Sequence, residues 1–189
     1  NKYLLPWVIF QVAVLVTLFV NDFIGKLLLS FVMFYFFIEF YKIIKNSNAF
    51  EKTDSIIINT LFVFGAILLL LEAFLSVNLS YIIFYGYLLN TVFIVALRMV
   101  PMFYFNITGV KPWKKPKFLR EFAAILFVFI GIASQFELNI LLKVVSLISL
   151  IFFSYIIVKL DFYKKTPAIL SILTYSFFWL LLGFISLTV

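Results

Sequence analysis

The chain is a succession of long apolar runs separated by short polar connections. Seven runs can be read from the sequence, at residues 3–20, 27–44, 56–76, 81–100, 121–136, 140–160 and 167–189. Each run contains about 16–23 residues, close to the roughly 20 that an α-helix needs to cross a hydrocarbon core of about 30 Å. The pattern therefore predicts an all-α fold, a polytopic transmembrane bundle of about seven spanning helices.

Two connections carry specific signals. Residues 21–26, which include Lys26, are expected to form a short turn between the first two helices. Pro101 lacks the backbone N–H that a continuing helix would use, so we expect a break or kink there. The basic stretch of residues 111–120 follows and is typical of a helix that ends at a membrane surface.

The composition agrees with a protein embedded in lipid. Hydrophobic residues make up 66% of the chain and charged residues 12%, and the mean hydropathy is +1.20. Soluble domains average about 45–50% apolar and about 25% charged residues, so this chain lies well outside their range. The net charge of +7 comes from cations in the loops that flank the apolar runs, which favours anionic lipid headgroups over nucleic acid as the partner.

The cations also indicate an orientation. If the seven runs alternate in direction, one side of the bilayer receives only Lys26 and Lys143. The other side receives Lys2, Lys42, Lys45, Lys52, Arg98, Lys111, Lys114, Lys115, Lys117, Arg120, Lys159, Lys164 and Lys165. The side rich in cations is expected to be cytoplasmic, so the N-terminus is predicted inside and the C-terminus outside.

The chain lacks two residue types on which many catalytic and metal sites depend. The chain contains no cysteine and no histidine. Disulfides, thiolate metal sites and cysteine nucleophiles are therefore excluded within these 189 residues, as are the commonest metal ligand and the usual general base. We predict no catalytic residue, no metal ligand and no cofactor from the residues themselves.

Polar residues inside the apolar runs are the candidate site. They are Glu39, Asn59, Glu72, Asn90, Arg98 and Lys143. A charge at the centre of a membrane helix costs at least about 2.5–3.5 kcal/mol on insertion scales, so such residues usually pair or line a cavity. By depth, Glu39 could pair with Arg98, and Lys143 with Glu72 or Glu137. Two interpretations remain open. These side chains are structural, pairing to fix the helix packing or extending to the lipid headgroups, or they form a polar pathway or ligand site between helices.

One segment resembles a known family of bacterial membrane proteins. Residues 98–103 read Arg-Met-Val-Pro-Met-Phe, similar to the Arg-Val-Ile-Pro-Phe-Phe-Thr segment of the NnrS family, through Arg98, Pro101, Met102 and Phe103. A second stretch, with Ser171 followed by Tyr175, Trp179 and Gly183, is similar to a family stretch in which histidine stands at the position of Ser171. The resemblance covers mainly residues 81–189.

The resemblance implies a cytoplasmic-membrane protein of about twelve helices that is associated with haem, copper and tolerance of nitric oxide. Residues 1–189 are expected to form a single transmembrane helical domain, and the resemblance implies that this domain is a fragment of such a longer protein. Haem or copper is expected only from the resemblance, because this chain contains no histidine that could bind either group.

Three functions follow as hypotheses. The first is an NnrS-like role in nitric oxide stress or in metal- and haem-related homeostasis. The second is a non-catalytic structural or accessory subunit of a membrane complex, with other membrane subunits as partners. The third is a small-solute transporter. An enzyme is the less favoured interpretation, since no nucleophile with a base and no phosphate-binding loop is present.

Overall fold

The apolar runs form helices throughout the part of the chain that the computed structural model describes, namely residues 4–19, 21–48, 52–75, 77–109, 116, 118–159 and 168–188. The elements in chain order are α1 (Leu4–Phe19), α2 (Asp22–Asn46), α3 (Thr53–Leu75), a π-helical stretch (Ile82–Leu89) that continues into α4 (Asn90–Thr108), α5 (Leu119–Gln135), α6 (Asn139–Lys159) and α7 (Ala168–Thr188). No β-strand occurs among these described residues. The all-α prediction is confirmed.

Four of the described helical segments are long and apolar enough to cross a membrane. They are Asp22–Asn46, Thr53–Leu75, Ile82–Phe103 and Asn139–Lys159. Large apolar side chains point away from the packed interior on these helices, for example Phe31 on α2 and Val158 on α6. An apolar exterior is stable in lipid and costly in water, so the protein is a polytopic membrane protein.

The second helix begins earlier than the sequence pattern predicts. The side-chain oxygen of Asn21 accepts a hydrogen bond of 3.1 Å from the backbone N–H of Ile24, and Asn21 itself has extended backbone angles. This is an N-cap, and Asp22 in the first helical turn adds a favourable charge at the positive end of the helix dipole. Lys26 therefore lies inside α2, whereas the apolar pattern predicts it in a turn.

The fourth helix is not broken at Pro101. It continues through that residue and ends at Thr108. Gly109 then adopts a positive φ of 69° and donates its N–H to the carbonyl of Phe105 at 2.8 Å, a common way to end a helix. Of the two expectations, the break is wrong and the kink stays a prediction. A membrane helix tolerates one missing N–H when its neighbours satisfy the freed backbone group. Most of the basic stretch that follows, residues 111–115 and 117, lies outside the described residues.

The backbone irregularity lies upstream of Pro101, in the π-helical stretch Ile82–Leu89. At its junction with α4, the side-chain amide of Asn90 donates to the carbonyl of Gly86 at 3.2 Å. The hydroxyl of Thr91 donates to the carbonyl of Tyr87 at 2.8 Å. The carbonyl of Tyr87 also accepts the backbone N–H of Asn90. The two side chains thus add donors to the carbonyls at this change of helical repeat, inside an apolar medium.

The chain forms two compact units, Asn1–Thr91 and Val92–Val189, and their boundary falls near the start of α4. In the first unit α2 packs along α3, and the hydroxyl of Ser30 donates to the carbonyl of Ala66 at 3.0 Å. A cluster of aromatic rings, Phe36, Phe40, Phe62 and Tyr87, fills the space beside this contact. The prediction of a single domain stays a prediction.

The second unit has a core built of phenylalanine rings. Phe93 of α4 meets Phe127 of α5 at a centroid distance of 5.6 Å and Phe153 of α6 at 4.7 Å. Phe153 also stacks on Phe184 of α7 at 5.1 Å. Offset and edge-to-face pairs of this kind stabilise by about 0.5–1.5 kcal/mol each beyond their buried area. The rings therefore hold together the four helices of this unit.

Candidate functional site

The six polar residues predicted inside the apolar runs fall into three environments. Asn59 and Asn90 are buried, Glu39 and Glu72 are partly buried, and Arg98 and Lys143 are exposed. Glu72 belongs to a cluster of opposite charges, and this cluster borders a large cleft. That cluster is the candidate site.

The cation that faces Glu72 is Lys26. The ammonium nitrogen of Lys26 lies 3.6 Å from Oε2 of Glu72 and donates a hydrogen bond to Oδ2 of Asp22, four residues earlier on α2. The side chains of Lys26 and Glu72 are only 18% and 10% exposed, whereas that of Asp22 is 65% exposed. One ammonium thus joins a carboxylate at the entrance to a carboxylate that is nearly buried, and it ties α2 to α3.

Glu72 has a second role at the end of α3. Its Oε1 accepts a hydrogen bond of 3.1 Å from the backbone N–H of Leu79. Beside it, Oδ1 of Asn78 accepts from the backbone N–H of Ser80 at 2.9 Å and from the Ser80 hydroxyl. Side chains therefore satisfy the backbone of the short connection that leads to the π-helical stretch.

A cleft of about 820 Å³ opens over this cluster. We call it the Lys26 cleft. The residues that line it are Asn21, Asp22, Phe23, Lys26, Glu72, Ala73, Val77, Asn78 and Ser80. Among the residues that the structure describes, this lining has two carboxylates and one ammonium, which gives it a formal charge of −1. Phe23 forms an aromatic wall and is braced edge-to-face by Phe74, with ring centroids 5.6 Å apart.

Sequence reasoning missed Lys26 as a site residue, although a usable signal was present. Lys26 is the fifth residue of α2 and Glu72 the fourth from the end of α3. In two antiparallel neighbouring helices these positions lie at similar depth. The misplaced start of α2 hid this relation, since it left Lys26 in a turn.

Glu39 has a hydrogen-bond partner on its own helix. Glu39 accepts a hydrogen bond of 2.8 Å from the ammonium of Lys42, at the opposite end of α2, beside a smaller cleft of about 510 Å³. The pairs of Glu39 with Arg98 and of Lys143 with Glu72 or Glu137 stay predictions. Within the first unit, Glu72 forms an ion pair with Lys26.

The residues that carry the family resemblance lie on α4 and α7. Pro101 is buried in α4, while Arg98, Met102 and Phe103 are exposed. On α7, Tyr175, Trp179 and Gly183 recur every four residues and so share one face of the helix. Tyr175 and Trp179 are exposed, and a Cβ at Gly183 would meet nothing within 4 Å. The side chain of Ser171 lies outside the described residues.

The residues do not fit the haem or copper that the resemblance implies. The chain has neither histidine nor cysteine, and its described residues contain no group of three or more His, Cys, Asp or Glu side chains placed to hold a metal ion. Of the three methionines, Met33 is buried and directed at Gly65. Met99 and Met102 are the other two, and thioethers alone make a poor axial set for haem.

Comparison with known proteins identifies no relative. No family model, no curated protein and no solved structure matches the chain. The chemistry of the site therefore rests on its own residues and their geometry.

Proposed function

We propose that this protein acts within a membrane as an NnrS-like protein, in nitric oxide stress or in metal- and haem-related homeostasis, without supplying histidine ligands itself. The observation that carries this proposal is the pair of segments that resemble the family, around Arg98 and around Tyr175. They occur in the family's order and at its approximate spacing.

The surroundings of these segments support a functional interpretation. Val100 and Pro101 are packed inside the second unit, so the backbone of the first segment is anchored. Arg98 and Met102 on the same helix remain exposed. A guanidinium on an anchored backbone can give two parallel hydrogen bonds to a carboxylate or a phosphate. Arg98 is therefore suited to pair with an anionic group, whether that group belongs to this chain, to a ligand or to another membrane protein.

The proposed setting is a bacterial cytoplasmic membrane, with the N-terminus in the cytoplasm and the C-terminus outside. The uneven distribution of the 15 cations supports this orientation, because positive residues are retained on the cytoplasmic side. The basic loops would then contact anionic headgroups, and the Lys26 cleft would open towards the outer surface.

A growth experiment tests the proposed role. A strain that lacks the gene is challenged with a nitric oxide donor and complemented with the wild type, with Arg98→Gln or with Lys45→Gln. We expect protection from the wild type and from Lys45→Gln, which removes another exposed cation. We expect loss of protection with Arg98→Gln at equal amounts of protein in the membrane. Equal sensitivity of the deletion strain and the wild type would refute the role.

A second candidate function is the binding or transport of a small solute, and the Lys26 cleft favours it. Ionisable residues in membrane helices often mark solute pathways, and here a nearly buried ion pair borders an open cleft. Uptake of candidate solutes into vesicles that contain the purified protein tests transport. Asp22→Asn should slow uptake, whereas Lys42→Gln at the other end of α2 should not.

A further inference from the structure

We propose that the Lys26 cleft binds a small organic monocation, an alkylammonium or quaternary ammonium compound. This inference gives the second candidate function a ligand class and rests on the existence of the cleft as a binding site. It does not require transport.

The charge of the cleft selects a cation. Lys26 compensates one of the two carboxylates, so the lining retains one formal negative charge. The more exposed carboxylate, Asp22, stands at the entrance with a side chain that is 65% exposed. A monocation beside Asp22 restores neutrality, whereas an anion would add repulsion from Asp22 and Glu72.

The position of Lys26 selects an organic cation over a metal ion. Its ammonium already lies against both carboxylates, at 3.6 Å from Glu72 and within hydrogen-bond distance of Asp22. A divalent ion that bridged the two carboxylates would have to displace this ammonium. A monocation beside Asp22 needs no such displacement, because the outward part of that carboxylate remains accessible.

The wall of the cleft supplies the rest of the recognition. Phe23 lines the cleft and is braced by Phe74, so its ring is available to a soft cation at little ordering cost. Cation–π contacts favour alkylated ammonium groups that shed water easily. Ala73 and Val77 add apolar surface for the alkyl part. The volume of about 820 Å³ lies in the usual range of small-molecule sites.

The test is a binding titration on the purified full chain in lipid nanodiscs at low salt. Choline is the probe, and its uncharged carbon isostere dimethylbutanol has nearly the same shape. We expect saturable binding of choline and at least about tenfold weaker binding of the isostere, because only the charge differs. We also expect choline binding to weaken as salt rises, since the site is partly exposed.

Two variants that change the charge of the cleft in opposite directions make the test specific. Asp22→Asn removes the residual negative charge and should weaken choline binding about fivefold or more, and Lys26→Met should strengthen it. Glu137→Gln is the matched control, an exposed carboxylate of the second unit outside the cleft, and should change nothing. Because the Asp22 side chain is mostly exposed, Asp22→Asn should fold normally.

Two results would overturn the proposal. One is equal binding of choline and dimethylbutanol, which would indicate an apolar site or adsorption to lipid. The other is an unchanged affinity in Asp22→Asn with a normal unfolding temperature. Choline binding without uptake would refute transport alone and leave the cation site intact.

Discussion

At the scale of single residues, a glycine sets how closely α2, α3 and the π-helical stretch approach. A Cβ added at Gly65 would lie 2.6 Å from the terminal methyl of Met33 and 2.8 Å from the ring carbon Cγ of Tyr87. Met33 ends in a flexible chain and can move, but the first ring atom of Tyr87 is fixed by its own backbone. The close packing at this point therefore requires the absence of a side chain.

Gly65→Ala is expected to destabilise the protein by about 1–3 kcal/mol, because the overpacked contact must shift a ring or a helix. Gly183→Ala is the matched control, since a Cβ there meets nothing within 4 Å. Alanine at that helical position should be neutral or stabilising by up to about 1 kcal/mol. Thermal unfolding in a mild detergent measures both variants. Equal unfolding temperatures for the two would contradict this close packing at Gly65.

At the scale of elements, the hairpin of α2 and α3 is held at one end by charge and along its length by packing. The Lys26–Glu72 pair lies at the end where α2 begins and α3 ends, and Glu72 also holds the connection that follows. The Glu39–Lys42 pair lies at the other end of α2, within one helix, and the Lys42 side chain is 61% exposed. These two pairs permit a direct comparison of an inter-helix and an intra-helix ion pair.

A double-mutant cycle with Lys26→Met and Glu72→Gln should give a coupling energy of about 1 kcal/mol, because both side chains are largely removed from solvent. The equivalent cycle with Lys42→Met and Glu39→Gln should give no more than about 0.5 kcal/mol, because the pair lies within one helix and its Lys42 end is 61% exposed. Unfolding in lipid or detergent measures both cycles. Additive losses at Lys26 and Glu72 would mean that the ion pair does not stabilise the hairpin.

At the scale of the whole molecule, charge and hydropathy determine how the chain is placed in a bilayer. The described helices present apolar side chains to the surroundings, and the charged side chains described near their ends include Asp22 and Lys26 on α2 and Lys159 on α6. The absence of native cysteine makes this arrangement easy to test, because any introduced thiol is the only one in these residues.

Single cysteines at Asn78 and Lys115 should react with an impermeant thiol reagent from opposite sides of the membrane. Asn78 follows α3, and Lys115 lies between α4 and α5, so one spanning segment separates the two positions. We expect Asn78 to react from outside intact cells and Lys115 only after the cells are opened. Reaction of both from the same side would contradict the proposed topology.

The purified chain should carry no haem and no tightly bound copper. Methionine, tyrosine and carboxylate side chains are the available donors, and they replace histidine and cysteine poorly in these sites. Absorption spectroscopy and metal analysis of protein purified from haem-replete cells measure the outcome. A Soret band together with stoichiometric iron would show that haem binds to this chain without histidine or cysteine ligands.

The sequence by itself determined the class of the protein and the approximate position of every helix. Burial of backbone polar groups in lipid permits few structures, so long apolar runs imply helices almost regardless of which apolar residues they contain. The predicted runs and the observed helices consequently agree to within a few residues at most ends. The start of α2 and the continuation of α4 through Pro101 are the exceptions. The first depends on the Asn21 N-cap, a local hydrogen bond that a hydropathy pattern does not record. The second depends on the tolerance of a membrane helix for one missing N–H.

Only the tertiary structure decided which polar residues meet. Depth can be read from a sequence, but the rotation of each helix about its axis cannot be read when nearly all faces are apolar. Glu72 was therefore recognisable as a buried charge, while its partner Lys26 and the cleft above them emerged only when α2 packed on α3. The phenylalanine core and the close contact at Gly65 were hidden for the same reason. In a membrane protein the apolar pattern determines that a helix forms, and side-chain shape and charge determine which face it turns inward.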